Sequence, residues 1–498
     1  MVSDDLLASS EADQISWRLQ KREALLAAGT EAYDPGVTRT HGLRAVVDGW
    51  SHLGAGDETA DAVRVSGRLV TVRDSGKLVF AVLQGDLGER LQLLLAEDSL
   101  GIELLAQWKR VVDIGDIVAV AGVVIKSRRG EVSVRATGWS MVSKAIRPLA
   151  SLTNQMNSES RSRLRYLELI TEDRARQLTV ARSNASRAIR RVLEDRGYVE
   201  IDTPVLQLVH GGARARPFRT HFNSLGTDMT LRIALELNLK KAVVGGIERV
   251  YELGRIFRNE GLDATHSPEF TMLEAYEAFG DERSAAELTR SLILAVADAL
   301  GKRTIVTAQG EIDLFQDWQW VSVHDAISRE TGVEVTFDSG LEEMRRAADA
   351  SAVDVEDCTT PHSIAMKLVD EVVEPKLIAP TFLHDYPAVA QPLARNHRSK
   401  RGLVEAWDLV IGGVERATGF TELVDPVVQR EVLEEQSLAA AGGDPEAMQL
   451  DEAFLRALEY GAPPMGGIGI GFDRLLMMFF DASIRETQLF PHTRPEVS

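Results

Sequence analysis

The sequence predicts a multidomain protein, a small N-terminal β-barrel followed by a large α+β domain built on an antiparallel sheet. Three observations carry that prediction. The chain has 498 residues, more than one hydrophobic core usually supports, so two or three domains are expected. Between residues 62 and 150, short runs of β-forming residues are divided by Gly, Asp and Ser turns, the mark of a small all-β unit. Beyond residue 178, helical and strand-like stretches follow one another without the regular crossover helices that a parallel sheet requires, which favours antiparallel pairing.

Composition narrows the class. Hydrophobic residues at 44% and charged residues at 26% suit a globular chain rather than a disordered or fibrous one. The single cysteine, Cys358, excludes an intrachain disulfide and a cysteine metal cluster and fits a reducing compartment, so a cytoplasmic location is expected. No run approaches the roughly 18 uninterrupted apolar residues of a membrane span. The start "MVSDDLLASSEADQ" is acidic where a secretory leader is basic and then apolar, so no membrane contact is expected. A formal charge of -19 opposes a polyanionic partner for the chain as a whole. Residues 62–150 nevertheless hold thirteen Lys and Arg against nine Asp and Glu, a small excess that fits nucleic acid and that chance also produces.

Residues 1–61 combine a short amphipathic helical pattern, "ISWRLQKREALLAAG", with loop-like Gly, Asp and Pro and predict an arm rather than a domain. In 62–150 the runs "AVRVSGRLVTVRDSG", "KLVFAVLQGD", "RLQLLLAED", "DIVAVAGVVIKSRRG" and "EVSVRATGWSMV" read as five strands, with "SLGIELLAQWKR" as a helix between the third and fourth. That is the order of an OB-fold, a platform for single-stranded nucleic acid, and another small β-barrel fits the pattern equally. A polar, Arg-rich linker over 151–177 leads to the large domain, 178–498, which begins with a long helix to about residue 197 and then the strand-like "VEIDTPVL". Over about 283–385 the pattern is helical and motif-poor, and it predicts an insertion interrupting the sheet. The chain shows no internal repeat, and "LAAAGGDPEA" is only mildly biased.

Three stretches carry chemistry. "RIFRNEGLDATHSPEFTMLEAY" predicts two antiparallel strands joined by a loop, on which Arg258, Glu260, His266 and Phe270 can converge. A guanidinium grips a phosphate in a bidentate way, a carboxylate accepts from an exocyclic amine, and a phenyl ring stacks on a base. A solvated charged hairpin accounts for an Arg-Glu pair but not for the aromatic rings. "GGIGIGFDRLLMMFF" places glycines where a ligand could approach the backbone, ahead of an apolar helix with Arg474 in its first turn. It does not have the spacing of a dinucleotide fingerprint. "WDLVIGGVERATGFTELVDP" sets Asp408, Glu415 and Glu422 seven residues apart. Odd spacing alternates faces on a strand, so a bend at Gly412-Gly413 is required to bring all three together. Carboxylates facing nucleotide phosphates usually hold Mg2+, and structural pairing with arginine is the alternative.

These residues resemble a known family. "GYVEIDTPVL", "FRNEG" through "HSPEFTMLEAY", and "GIGIGFDR" resemble motifs 1, 2 and 3 of the class II aminoacyl-tRNA synthetases, in that family's order. "RYLELI", "GGARARPF", "TGFTELVDP" and "SIRETQLFP" are similar to the bacterial lysyl-tRNA synthetases, over roughly residues 62–498. The resemblance implies ATP and Mg2+, lysine, tRNA(Lys) and a homodimer. It places Arg258 on the α-phosphate and the amino-acid carboxylate, Phe270 under adenine, Glu260 and His266 at ATP, Arg474 on the γ-phosphate, and Asp408 and Glu415 at the metal. Gly212, Glu236 and Glu274 match positions around the α-amino group, Thr418 one near the substrate carboxylate, and Tyr276, Phe420 and Glu422 those around the side-chain ammonium. In the barrel, Phe80 and Gln92 resemble residues that stack on and hydrogen-bond anticodon bases. Phe80 on its own is more often a core residue, and its run "KLVFAVL" is apolar on both faces.

A pocket with several carboxylates and no spare arginine suits a cationic substrate. Four positions depart from the family pattern. Thr418 stands where asparagine is frequent, Asp408 replaces a glutamate, and Leu235 and Asn238, beside Glu236, replace a proline and an aromatic residue. The expected activity is that of a lysine-tRNA ligase. Two alternatives stand beside it. One is a paralogue that forms the adenylate but serves another acceptor, such as a lipid or small molecule. "HGGARARPF" and "LAAAGGDPEAMQLDEAFLRALEY" are similar to the synthetase part of actinobacterial lysyl-lipid enzymes, which carry membrane helices upstream. The other is a tRNA-binding regulator without catalysis, against which the set Arg258, Glu260, Glu415 and Arg474 speaks, because costly buried charges erode first.

Overall fold

A computed structural model describes residues 10–149, 157–307, 309–441 and 447–494. Half of the biased run "LAAAGGDPEA" and the first residues of the linker lie outside them. The chain divides into two compact units, Met1–Gln177 and Leu178–Ser498.

The first unit opens with helix α1 (Glu11–Ala27), started by a capping box in which Ser10 and Asp13 satisfy each other's backbone amides, an arrangement that closes free helix N–H groups. The segment expected as an arm packs on the barrel. Leu25 is buried in the barrel's core, Arg18 donates to the carbonyls of Ile114 and Ala145, and Lys21 pairs with Asp113 at 2.5 Å. Strands β1 (Glu58–Asp74), β2 (Leu78–Gln84), β3 (Arg90–Ala96), β4 (Ile117–Lys126) and β5 (Val132–Ser143) close a barrel in the order β1-β2-β3-β5-β4. Only β3 and β5 pair in parallel. Helix α2 (Ile102–Val111) joins β3 to β4 and buries Leu105, Trp108 and Val111. The strand order and the intervening helix are those of the OB-fold, which removes the alternative of an unrelated barrel. Closure also settles the face of "KLVFAVL". Val79, Ala81 and Leu83 point into the core, and the period of two leaves Leu78, Phe80 and Val82 outside.

The second unit is built on one sheet. Its strands are β6 (Val199–Glu200), β7 (Arg249–Phe257), β8 (Glu269–Ala278), β9 (Gln319–Ser322), β10 (Thr381–His384), β11 (Ala406–Val410), β12 (Glu415–Thr421) and β13 (Met465–Gly471). They lie in the order β9-β10-β11-β12-β13-β8-β7-β6. From β10 to β7 every pair is antiparallel, and the two edge pairs, β9 with β10 and β7 with β6, are parallel. One face carries the core. Leu273, Ala275, Ala417, Ile468 and Ile470 meet Ala185, Ile189 and Leu193 of α3 (Asp173–Asp195). Leu292 and Val296 of α5 (Glu282–Leu300) and Leu475 and Leu476 of α6 (Phe472–Phe480) complete it. Residues of opposite parity on the same strands, among them Met272, Glu274, Tyr276, Thr418, Phe420, Gly467 and Gly469, face away from those helices and line a cavity. Helix α4 (Glu236–Val244) lies on that second side and packs Leu239 and Val243 against Tyr276 and Met465.

The segment 283–385 departs from a purely helical insertion. Its first helix, α5, belongs to the main core, and β9 and β10 are strands of the main sheet. Thr304–Thr307 and Gly310–Asp313 form a hairpin of their own. Helices Val323–Thr331, Leu341–Ala350 and Pro361–Leu368 make a separate core with Val369, Val372 and Val373. Strands as short as "QWVS" and "TFLH" carry too few residues for a period of two to stand out.

Candidate active site

The three spaced carboxylates converge by the device their spacing demanded. Gly412 and Gly413 both adopt positive φ, 66° and 72°, and turn β11 back as β12, with a register shift at Leu409/Val410. Asp408 then pairs across with Thr418 and comes onto the same side as Glu415. Glu422 lies just past β12, its amide donating to the Met465 carbonyl at 2.9 Å. Two adjoining cavities result, of about 390 Å³ and about 230 Å³, and both are lined by Arg258, Met272, Glu415, Thr418 and Gly469.

The smaller cavity is cationic and aromatic. Arg258, just beyond β7, holds its guanidinium 5.4 Å from the centroid of Phe270 and donates its backbone N–H to the Pro268 carbonyl. Arg474, in the first turn of α6, and Arg416 on β12 line the same space. Burial and the neighbouring Arg474 lower Arg416 to about 10. Burial likewise lowers Arg258, with Arg474 acting the same way and Glu260, Glu274 and Glu415 opposing. Three guanidiniums that repel one another in a partly desolvated space are suited to a polyanion, which removes the repulsion when it binds. Glu260 and His266 stand at the rim. Asp263 fixes that rim, accepting from the amides of Thr265 and His266, with His266 Nδ1 2.9 Å from its second oxygen. These bonds hold the Asp263 carboxyl well below the usual range. Asp263 and Arg416 were not among the residues singled out in the sequence, and the Asx pattern D-A-T-H is the signal that marks the first.

Asp408, half-buried, lines the larger cavity and accepts from Thr418 and Tyr386. Burial first, and then Glu415, push it up to about 8. Glu415 is raised by burial, with Arg474 and Arg258 pulling the other way, and its backbone N–H donates to Glu374 at 2.7 Å. Two neighbouring half-buried carboxylates, one of which disfavours the other's charge, are stabilised together by a divalent cation. Among the described residues no group of three or more His, Cys, Asp or Glu is disposed to hold a metal unaided. Asp408 and Glu415 are oxygen donors of the kind an Mg2+ ion uses, one or two carboxylates with substrate phosphates and water completing the shell.

The larger cavity is acidic. Glu274 on β8 accepts from the Leu235 amide at 2.9 Å and from the Tyr276 hydroxyl at 3.0 Å. Burial, and then Glu236, raise it to about 7. The replacement of proline by Leu235 has a chemical consequence, since proline has no N–H to offer Glu274. Leu235 itself is buried in the cluster with Leu239 and Tyr276, and Asn238 does not line the cavity. Glu236 and Glu422 are buried, and the Glu422 carboxyl is raised to about 8 by burial above all. Gly212, Phe420 and Thr418 complete the wall. At Gly467 the need for glycine differs from ligand approach. A Cβ there would lie 2.0 Å from Glu422 Oε1 and 2.6 Å from the Tyr276 ring, so the missing side chain makes room for the protein's own acidic wall.

The expected pocket of several carboxylates without a spare arginine has its carboxylates, but Arg214 and Arg258 line the same cavity, and a further cation stands behind it. Lys240, fully buried on α4, ion-pairs with both Glu236 and Glu422, so those carboxylates are not held solely for a ligand. An i,i+4 Glu-Lys pair on a helix is ordinarily a solvated surface pair, which is why the sequence conceals it.

On the barrel, Phe80 and Gln92 share the outer face of adjacent strands, with Val82 opposite Gln92 and Phe80 opposite Leu94. The Arg73 guanidinium lies 4.7 Å from the Phe80 centroid, and Gln92 Oε1 accepts from Ser133. Phe80 is half-buried and stands outside the barrel's core cluster, so a ring, an amide and a cation share one surface, the combination that reads unstacked bases.

Comparison with known proteins adds to this geometry. The family model described as tRNA synthetases class II (D, K and N) matches residues 157–494, and that of the OB-fold nucleic acid binding domain matches 63–142. The chain is 49% identical over 489 residues to the lysine–tRNA ligase of Kineococcus radiotolerans and 48% identical over 489 residues to that of Mycolicibacterium gilvum, covering 97% of both partners in each case. It is also 42% identical over 490 residues to the lysylphosphatidylglycerol biosynthesis bifunctional protein LysX of Mycobacterium ulcerans, which spans 97% of this chain and 44% of that protein.

Proposed function

The chain belongs to the class II tRNA synthetases of the aspartate, lysine and asparagine group, and from that premise we propose that it is a lysine-tRNA ligase. It activates lysine with ATP and passes the lysyl group to the 3′ end of tRNA(Lys). The observation that carries the proposal is the juxtaposition of two compartments, one lined by Arg258, Arg474 and Phe270, the other by Glu236, Glu274 and Glu422. Near-half identity to lysine–tRNA ligases over 97% of both chains supports it.

In this reading adenine stacks on Phe270 with Glu260 and His266 at its edge, Arg258 binds the α-phosphate together with the amino-acid carboxylate, and Arg474 binds the γ-phosphate. Asp408 and Glu415 would hold Mg2+, which supplies charge neutralisation on the phosphates. The lysine carboxylate attacks the α-phosphorus in line, a P–O bond forms, and the bond to the leaving pyrophosphate breaks. In the second step a ribose hydroxyl of the terminal nucleotide attacks the acyl carbon, and AMP leaves. No dedicated protein base is demanded in the first step, because the nucleophile is already a carboxylate. Arg258 and Arg474 act by positioning and by stabilising charge on the transferring group. The lysine α-amino group is held at Gly212, Glu236 and Glu274, its carboxylate near Thr418, and its side-chain ammonium at Glu422, Tyr276 and Phe420. Phe80 and Gln92 meet the anticodon. A homodimer working in the cytoplasm belongs to the same proposal. Among the described residues no helix is long and apolar enough to cross a membrane.

The likeness to the bifunctional lipid enzyme supports a second reading in which the same adenylate serves another acceptor. Identity of 49% and 48% to the tRNA ligases, against 42% to the bifunctional protein, favours tRNA. Charging with radiolabelled lysine decides between them. Acid-precipitable lysine on tRNA is expected, and adenylate formation without any transfer to tRNA would transfer the assignment to the second reading.

A further inference from the structure

Glu236, Glu274, Tyr276 and Glu422 serve the lysine reading, which gives no role to a charged group directly bonded to two of them. Lys240 is fully buried. Its ammonium pairs with Glu236, one turn earlier on α4, and with Glu422 beyond β12, and stands 5.9 Å from the Tyr276 centroid on β8. Glu274 on β8 is tied in through the Tyr276 hydroxyl. The next lysine, Lys241, points elsewhere, 3.9 Å from Asp451. Lys240 is not among the residues that line the cavity, whereas both of its carboxylate partners are. A cation thus sits behind the acidic wall and shares the two carboxylates with whatever enters in front.

We propose that Lys240 is a positioning and specificity-determining residue: a resident ammonium that joins Glu236 and Glu422 from behind, favours the ionised form of each, and leaves the wall with charge for one further ammonium, that of a monocationic amino-acid side chain. The inference rests on the lysine reading of the site and adds a residue to it. Three neighbouring buried carboxylates, Glu236, Glu274 and Glu422, could not all stay ionised in an apolar surrounding without a counter-ion. Without Lys240 Glu236 and Glu422 would keep their protons to a still higher pH, and a protonated carboxyl no longer attracts an ammonium. The directions at the site agree. Burial raises Glu236 and Glu422, and Lys240 opposes the rise at each. The two carboxylates keep Lys240 charged despite its burial. The pairing also fixes geometry, since each carboxylate has one oxygen turned to Lys240 and is thereby prevented from swinging.

The test is ATP-pyrophosphate exchange by the full-length protein from pH 6 to pH 9, comparing wild type with Lys240→Met and Lys240→Arg, with KM measured for lysine and for ATP. Lys240→Met is expected to raise the lysine KM at pH 7 at least tenfold, to leave the ATP KM within twofold, and to move the acid limb of kcat/KM for lysine upward by a pH unit or more. Lys240→Arg retains the charge and is expected to keep the limb nearer its wild-type place. Wild-type lysine KM and pH profile in folded Lys240→Met would overturn the proposal, as would equal rises in the lysine and ATP KM, which mark a merely structural residue. Should Lys240→Met not fold, Lys240→Ala purified in methylammonium takes its place. Recovery of the lysine KM by methylammonium and not by tetramethylammonium is expected, and no response to methylammonium overturns the proposal. If the wild type itself gives no exchange with lysine, the lysine assignment has failed, an outcome distinct from those of the variants, and the role of Lys240 goes with it.

Discussion

Glu422 and Glu274 set the pH behaviour of the ligand-free site. Both titrate higher in the folded chain, at about 8 and about 7, than the ordinary 4.5 of a glutamate, mainly because burial disfavours their charge. The folded state therefore holds more protons than the unfolded one across that interval, and the stability these two groups contribute falls as pH rises from about 4.5 toward 8. An incoming ammonium binds the ionised forms, so the sign reverses for the complex. The rise in Tm produced by saturating lysine is expected to grow between pH 6 and pH 8.5, and calorimetry across that range checks it. A shift that shrinks with pH would show that the cation does not meet these carboxylates. Glu422→Gln deletes one charge at nearly constant shape. It is expected to reduce kcat/KM for lysine at least about a hundredfold, in line with the ~3–5 kcal/mol typical of breaking a buried ion pair, while the KM for ATP stays put, and parallel losses for both substrates would instead make it a fold-supporting group. Leu235→Pro removes the amide that donates to Glu274 and is expected to move the acid limb of lysine use upward, which a pH profile of exchange measures. The carboxylates themselves were legible from spacing and from resemblance. Lys240 was not, because its second partner, Glu422, is remote in sequence and only the fold brings the two together.

At the scale of elements, the antiparallel pair β7-β8 and the β11-β12 turn deliver the chemistry, and each could be read from a different kind of signal. Alternation and turn residues marked the hairpin that carries Arg258 and Phe270, and two glycines at the required bend marked the turn that gathers Asp408 and Glu415. Arg258→Ala is expected to cost on the order of 3–4 kcal/mol of transition-state stabilisation, comparable to losing an oxyanion donor, and exchange kinetics within about threefold of wild type would remove the hairpin from the site. The barrel was legible as five strands, but the placement of Phe80 was not, because an apolar outer face that binds bases looks the same in sequence as an inner one. With Phe80 outside the core, Phe80→Ala is expected to leave tRNA-free exchange intact and to weaken tRNA by about 1–3 kcal/mol, the worth of one stacked base. An equal fall in exchange would contradict that placement. Strands β9 and β10 escaped the sequence pattern for the opposite reason, being too short for their period to register.

On the scale of the whole molecule, the division of labour is between a barrel whose outer surface offers a ring, an amide and a guanidinium, and a sheet with its core on one side and its ligand cavities on the other. The second unit also exposes Leu206, Leu208, Phe222 and Leu225 on and beside a small three-stranded sheet, apolar surface that supports the proposed homodimer. Sedimentation at micromolar concentration is expected to give twice the chain mass, and Leu208→Glu with Leu225→Glu to shift it toward one chain. The central claim is that a cationic amino acid is activated in the acidic cavity beside the arginine-lined one, and ATP-pyrophosphate exchange without tRNA across the twenty amino acids, ornithine and β-lysine tests it most directly. Exchange with lysine far above every other candidate is the predicted result, and exchange confined to ornithine, β-lysine or an uncharged amino acid would contradict it.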